Sequence, residues 1–234
     1  MRIENRTVSA AWKAAACLAG LAGILIQCGA LDGDWDLLVL RYYTLVSNVL
    51  CTVYFGIAAA FTAAGKATPL PKCKGALLMG ITVTGLVYHL LLSDGTFRMS
   101  DTMAVADTLL HTVTPILCVT DWLLFDEKGT YTPMSPLSWV ILPDAYFVLA
   151  TAYGFCGGKP FYGDGRFPYF FMDYDTLGVW RVLAYVAALN AAFCALGYGY
   201  YFLDRLLRRR TGPDGEGAAT NAAGSAGQGS GRAL

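Results

Sequence analysis

The sequence predicts an all-α, polytopic membrane protein built as a bundle of six transmembrane helices. Hydrophobic residues make up 56% of the chain and charged residues only 15%, which is less charge than a soluble domain carries. The mean hydropathy of +0.47 indicates the same class. The apolar residues also fall into six runs, each close to the ~20 residues that a membrane-spanning helix needs. Because most of the charges lie in loops and tails, we expect no nucleic-acid partner.

Six consecutive spans follow from these runs. They are predicted at Ala10 to Ala30, Leu37 to Ala63, Gly75 to Ser93, Met103 to Phe125, Leu137 to Cys156 and Gly178 to Leu203. The first continues directly into LDGDWD without a small-residue cleavage pattern, so we expect a retained helix and not a signal peptide.

The chain is thereby divided into three parts. A short amino-terminal segment covers residues 1–9 and the transmembrane domain covers residues 10–205. A tail of residues 206–234 begins with a basic cluster and continues as Gly, Ala and Ser with few large apolar residues. That composition is typical of disordered chain, because it offers too little apolar surface to pack.

Basic residues predict which side of the membrane each loop occupies. Lysines and arginines are concentrated at the amino end, in the second loop and directly after the last span. The loops on the opposite side hold only Arg98, Lys159 and Arg166. By the positive-inside rule, the amino-terminal segment and the tail are both predicted to be cytoplasmic.

Neither a disulfide framework nor a metal site is indicated. The seven cysteines are scattered, nearly all within or at the ends of the spans, without a C-x-x-C pair, a pattern typical of a membrane core. Cys28 and Cys156 both fall at the predicted outer face, where they could pair. The chain has only two histidines, His89 and His111, without metal-ligand spacing. We therefore predict no metal and no cofactor.

Polar residues lie at helical spacing in the outer halves of two spans. Thr44 in the second span and His111 in the fourth each fall about seven residues inside their run, a depth of roughly 10 Å. Arg41, Thr44 and Asn48 are three and four residues apart and line one stripe, with Ser47 beside it. A buried histidine in lipid is unusual and makes this layer a candidate functional site.

The fourth span adds a carboxylate to the same layer. Asp107 lies four residues before His111, so it can reach the ring and fix the imidazole tautomer. Both spans enter from the outer face, so we expect them to enclose a common cavity, approached by His89 from the third span. A base, an orienting carboxylate and a hydroxyl, with Asn48 and Arg41 as oxyanion donors, are what acyl transfer requires.

These side chains also have purely structural interpretations. A threonine in a membrane helix usually bonds to a carbonyl one turn earlier, and serine or asparagine commonly joins helices. Arg41 and His89 can extend to the headgroups. A hydrogen bond between helices would also account for His111.

A non-enzymatic function is the alternative. The acidic side chains and histidines inside the spans could form a proton or solute path, as such residues do in transporters. They are Asp107, His111, His89, Asp121 and Asp144. A regulatory or scaffold protein of the membrane is a third possibility.

Four segments resemble the bacterial Pr6Pr membrane proteins. They are RYYTLVSN in the second span, HTVTPIL in the fourth, WVILPDAY at the start of the fifth and FPYFFMD in the last outer loop. That family is similar to the androgen-induced and androgen-dependent TFPI-regulating proteins, which are six-helix membrane hydrolases of fatty acid esters of hydroxy fatty acids. The resemblance covers about residues 10–205. It implies a catalytic threonine and histidine that correspond to Thr44 and His111, and a location in the bacterial cell membrane.

We therefore predict an intramembrane hydrolase of lipid esters, with Thr44 as the nucleophile and His111 as its base. The predicted partners are a lipid substrate and the bilayer, and the sequence does not indicate an oligomeric state. The aromatic loop from Phe161 to Asp173 has two equal interpretations, an interfacial lid or an ordinary aromatic belt.

Overall fold

The fold is that of an all-α membrane bundle, as the sequence predicts. The computed structural model describes residues 2–93, 100–161 and 165–211. Within these ranges no strand occurs, and six helices are long and apolar enough to cross a membrane. The predicted disordered tail lies outside the described residues from position 212 onward, as do Arg98 and positions 162–164 of the aromatic loop.

The six helices follow one another with short connections. They are α1 (Arg6–Gln27), α2 (Tyr43–Ala63), α3 (Cys73–Leu92), α4 (Asp101–Phe125), α5 (Ser135–Phe155) and α6 (Tyr174–Arg208). The side chain of Asn5 caps α1 and that of Ser100 caps α4, each accepting a first-turn N–H group. The residue that precedes α2 makes no such hydrogen bond.

Small residues in α1 let it approach the bundle closely. A Cβ at Gly20 would collide with the Thr52 hydroxyl of α2, and one at Gly23 would lie 2.8 Å from a methyl carbon of Leu110 in α4. Glycines at such contacts are the usual means by which membrane helices pack, since lipid offers no hydrophobic driving force between them. The core beneath is filled by α2, α3 and α4, with Phe55, Met79 and Trp122 at most 1% exposed.

In the described part of the chain, two helices contain a π-helical turn, and each of these turns holds one of the histidines. The turns are Tyr88–Leu92 in α3 and Leu109–Val113 in α4. In α4 the cause is visible in the sequence, because Pro115 has no N–H to donate to a carbonyl of the preceding turn. Such turns are frequent at functional sites because they rotate side chains away from the regular helical positions.

The second span begins later than its hydrophobic run predicts. Leu37–Arg41 forms a separate 3₁₀ turn, Tyr42 is extended (φ −76°, ψ 144°), and α2 starts at Tyr43. The prediction that Thr44 lies about seven residues inside its helix is therefore wrong. Thr44 stands in the first turn of α2, near the helix N-terminus.

An ion cluster lies at the opposite end of the bundle from Thr44. The Asp121 carboxylate of α4 is fully buried between Lys13 Nζ of α1 (2.9 Å) and Lys74 Nζ of α3 (2.5 Å). Lys74 Nζ also lies 2.6 Å from the carboxylate of Asp126. Two lysines thus oppose two carboxylates, and the cluster ties three helices together without net charge.

The membrane orientation is open to a direct test. With Cys73 and Cys156 replaced by serine, we expect Asp34→Cys to react with an impermeant maleimide in intact cells, because the basic residues predict an outer position for this exposed loop. Cysteine in place of Lys66, whose loop the same rule predicts to be cytoplasmic, should react only after permeabilisation. The reverse pattern would contradict the orientation.

Candidate active site

Thr44 and His111 meet in the structure although they are far apart in the chain. The Oγ1 atom of Thr44 lies 3.1 Å from Nε2 of His111. Thr44 is held by the first turn of α2 and His111 by the π-helical turn of α4. The two side chains that the sequence singles out are therefore within hydrogen-bonding distance.

Asp107 sets the orientation of the imidazole. Its Oδ1 atom lies 3.0 Å from His111 Nδ1, and its backbone oxygen lies 3.1 Å from the same nitrogen. A proton on Nδ1 satisfies both contacts and leaves Nε2 as an acceptor for the Thr44 hydroxyl. The side chains of His111 and Asp107 are 12% and 18% exposed, so the pair is shielded but not sealed.

Tyr88 supports this pair from α3, although no sequence pattern predicted this role. Its hydroxyl donates to Asp107 Oδ2 at 2.5 Å. Its ring is stacked on His111, with centroids 3.9 Å apart and planes at 17°. Both contacts restrain the groups that would hold and move a proton. The one available signal was the position of Tyr88 beside His89, on a helix predicted to approach the same layer.

Asn48 and Ser47 hold the backbone around the site. The amide nitrogen of Asn48 donates to the carbonyl oxygens of Thr44 (2.8 Å) and Leu110 (3.2 Å). Leu110 needs this donor, because Thr114 N–H bonds to Leu109 and Pro115 has no N–H. The Ser47 hydroxyl donates to the Thr44 carbonyl as well, at 3.0 Å. Asn48 thus donates to the carbonyl oxygen that the π-helical turn leaves unpaired, and so stabilises the turn that positions His111.

The Arg41 side chain is engaged at the end of α5 and in the loop that follows it, and not at Thr44. Its guanidinium donates to the Tyr153 hydroxyl (2.8 Å) and to the carbonyl oxygens of Lys159 (2.7 Å) and Pro160 (3.0 Å). It also lies over the Phe161 ring, 4.6 Å from the centroid. Because Asn48 likewise spends both amide hydrogens on carbonyls, the structure does not support the oxyanion role predicted for these two residues.

His89 lies outside the chain of contacts that joins Thr44, His111 and Asp107. Its Nε2 atom lies 3.0 Å from the hydroxyl of Thr112 on α4, in an exposed position. Although its ring touches that of Tyr88, its ring nitrogens are not hydrogen-bonded to Asp107 or His111. In the structure, His89 therefore joins α3 to α4.

Tyr169, in the loop between α5 and α6, completes the environment of Thr44. Its hydroxyl accepts the N–H of Tyr43 at 3.1 Å and so caps α2 from 126 residues away. Burial raises the pKa of Tyr169 to about 12, a rise that hydrogen bonds with Thr44 and the Tyr43 backbone oppose. Tyr169 is therefore a neutral hydroxyl beside Thr44. In the sequence it was visible only as one of several aromatic residues of FPYFFMD.

A cavity opens beside Thr44. It lies between α2, α3, α5 and α6 beneath the aromatic loop, and its empty volume including the open mouth is about 640 Å³. Thr44 and Tyr169 line it, whereas His111 does not and lies behind Thr44. The expectation that Thr44 faces the cavity is thus met. The expectation that α4 encloses the cavity and that His111 faces it is wrong, because none of the lining residues belongs to α4. Phe171 and Met172 of the aromatic loop form part of its wall.

Within the described ranges, no three His, Cys, Asp or Glu side chains come together as a metal site. All seven cysteines are free, with Cys28 buried and Cys156 exposed. The polar groups around Thr44 are its own hydroxyl and that of Tyr169, the His111 imidazole and the Asp107 carboxylate. This set can relay a proton and supply a nucleophilic oxygen.

No family model matches the chain, and no curated protein or solved structure is significantly similar to it.

Proposed function

We propose that the protein is an intramembrane hydrolase that cleaves lipid esters through an acyl-threonine intermediate. One observation carries the proposal, namely the relay from Thr44 through His111 to Asp107, with contacts of 3.1 Å and 3.0 Å, at the wall of a largely apolar cavity. A hydroxyl, a base and an orienting carboxylate in line are the arrangement that activates a weak nucleophile. The resemblance to the Pr6Pr proteins supports the same reaction.

In the first half-reaction, His111 Nε2 takes the proton of the Thr44 hydroxyl as its oxygen attacks the ester carbonyl carbon. The proton on Nδ1 stays between His111 and Asp107, where the carboxylate stabilises the imidazolium. The tetrahedral intermediate then collapses, the bond to the alkoxy oxygen breaks, and the imidazolium returns the proton to that oxygen. The alcohol leaves and the acyl group remains on Thr44.

In the second half-reaction, water takes the place of the alcohol. His111 Nε2 accepts a proton from the water as its oxygen attacks the acyl-threonine carbonyl. The new tetrahedral intermediate releases the Thr44 oxygen, which recovers its proton from His111. The products are a carboxylic acid and the original enzyme, so one ester and one water are consumed in each cycle.

Tyr169 replaces Asn48 and Arg41 as the oxyanion donor in this proposal. Its hydroxyl is neutral at physiological pH, lines the cavity and is held against the start of α2 by Tyr43 N–H. A preorganised donor of this kind stabilises the charge that develops on the carbonyl oxygen, and it does so most strongly where water is excluded. The N-terminus of α2 adds a favourable dipole at the same place.

The composition of the cavity wall favours a substrate with a long apolar chain. Its walls are mainly aromatic and aliphatic, from Val83 and Val87 on α3 to Val186 and Leu189 on α6. An ester carbonyl at Thr44 would therefore place one hydrocarbon chain inside the bundle. Fatty acid esters of hydroxy fatty acids are the substrate class that the family resemblance adds.

Covalent labelling tests the class of activity. A fluorophosphonate probe should label the purified protein in detergent, with the adduct on Thr44 by mass spectrometry, because only an activated hydroxyl reacts. Thr44→Ala should abolish labelling. Thr108→Ala is the matched control, since the hydroxyl of this exposed α4 threonine donates to the Ala104 carbonyl of its own helix. Absence of labelling in a correctly folded wild type would count against the hydrolase.

A further inference from the structure

The inner part of the cavity carries a polar pair that the proposed reaction does not use. Asp144 of α5 and Asn190 of α6 both line the cavity. The amide nitrogen of Asn190 donates to Asp144 Oδ1 at 3.0 Å and to the Val186 carbonyl oxygen at 3.1 Å. Both amide hydrogens are then used, so the amide orientation is fixed by its two acceptors.

Two acceptor oxygens of this pair are left over. Asp144 Oδ2 and Asn190 Oδ1 have no hydrogen-bond partner in the part of the chain that the structure describes. The fully buried Asp121 differs, because each of its oxygens faces a lysine. A carboxylate in an apolar span is costly unless a donor reaches it. The two oxygens are therefore suited to a donor brought by a ligand.

The pair also lies where the bundle is open. Close backbone contact between α5 and α6 is largely confined to the first turns of α5, Ser135–Trp139, and the remainder of α5 approaches α6 only sparsely. Asp144 belongs in addition to a shallow depression on the outer surface of α5, formed with Ile141, Ala145, Val148 and Leu149. Asp144 thus stands between the cavity and the lipid-facing surface.

We propose that Asp144 and Asn190 form a subsite that binds a hydroxyl group on the hydrocarbon chain of the lipid held in the cavity. The ligand hydroxyl donates to Asp144 Oδ2. The amide nitrogen of Asn190 holds the carboxylate in place by donating to its other oxygen, Asp144 Oδ1. The inference rests on the proposed function for the position of the ester, and it adds a chain preference: a hydroxylated chain is favoured over a plain one. A neutral hydroxyl suits the site better than an ammonium group, whose transfer from water into the span costs far more.

The binding test separates this subsite from catalysis. Alkyl 4-nitrophenyl ethers cannot be hydrolysed, and they can be made in a series of chain lengths that end in either a methyl or a hydroxymethyl group. We expect the purified full-length protein, as Thr44→Ala, to bind one hydroxyl-terminated length roughly 10-fold more tightly than its methyl-terminated partner, the gain of one hydrogen bond to a charged group. Asp144→Leu should abolish this preference. Asp34→Asn, in an exposed loop, should retain it.

The outcomes are distinguishable from failure of the hydrolase itself. If both ligand series bind equally at every length, or if the preference survives in Asp144→Leu, the subsite is disproved and the pair only joins α5 to α6. If Asp144→Leu does not fold, Asp144→Asn, which keeps the shape but removes the charge, should reduce the preference. If the preference is found but the corresponding esters are not hydrolysed by wild type, the subsite stands and the proposed reaction fails.

Discussion

Alanine in place of Thr44 or of His111 is expected to reduce hydrolysis of a long-chain lipid ester by roughly 10³-fold or more. The first change removes the nucleophilic oxygen, and the second removes the base that lies 3.1 Å from it. The double variant should be no worse than either single one, because members of one catalytic unit are strongly non-additive. Ester turnover by the purified proteins in detergent measures all three.

Two further variants serve as the control and as the test of the oxyanion donor. Thr108→Ala should keep wild-type turnover, since the Thr108 hydroxyl donates to a carbonyl of its own helix, that of Ala104. Tyr169→Phe should lose roughly 10²-fold in turnover through the missing oxyanion donor, while its ring contacts with Tyr42, Tyr146 and Phe171 are kept. Equal turnover by wild type and Thr44→Ala would remove Thr44 as the nucleophile. A transporter or a scaffold would then be the better interpretation.

Asp121→Asn is expected to lower the free energy of unfolding by about 3–5 kcal/mol, because it leaves two buried lysines without a full counter-charge. Lys13 and Lys74 are 3% and 4% exposed, so water cannot replace the lost carboxylate. Reversible denaturation in mixed detergent micelles measures the loss. The effect should be one of stability, since the cluster lies at the far end of the bundle from Thr44.

Asp175→Asn is the matched surface control. Its carboxylate lies 3.1 Å from Arg166, but the two side chains are 53% and 47% exposed. Exposed ion pairs of this kind contribute only about 0–1 kcal/mol, because water and salt screen them. A similar loss of stability in both variants would contradict the buried-cluster argument.

Composition and periodicity predicted those features of the fold that depend on local sequence. The six helices and the alignment of Asp107 with His111 follow from hydropathy and from a spacing of four residues. The meeting of Thr44 and His111 was predicted from shared depth, although Thr44 proved to lie in the first turn of its helix. The agreement arose because the 3₁₀ turn and the extended Tyr42 move the start of α2 without moving Thr44 away from α4.

The remaining site residues depend on contacts between distant segments. Tyr169 reaches Tyr43 across 126 residues, and Arg41 reaches Pro160 across 119. Neither pairing leaves a periodic signal, because aromatic residues near a membrane interface and an arginine at a helix end are expected in any case. Asn48 was assigned a chemical role because it shares a helical stripe with Thr44. Its backbone partner, the Leu110 carbonyl, becomes unpaired only through the π-helical turn, which the sequence did not predict.

The ion cluster around Asp121 also constrains how the chain can be assembled during synthesis. Lys13 and Lys74 emerge from the ribosome before their counter-ion, which follows 108 and 47 residues later. Until α4 is inserted, α1 and α3 would each carry an uncompensated lysine, which is stable only if it extends to the aqueous boundary. We therefore expect α1 and α3 to reach their final depth only after α4 is inserted. Insertion of these two helices would then precede their final packing, which requires Asp121.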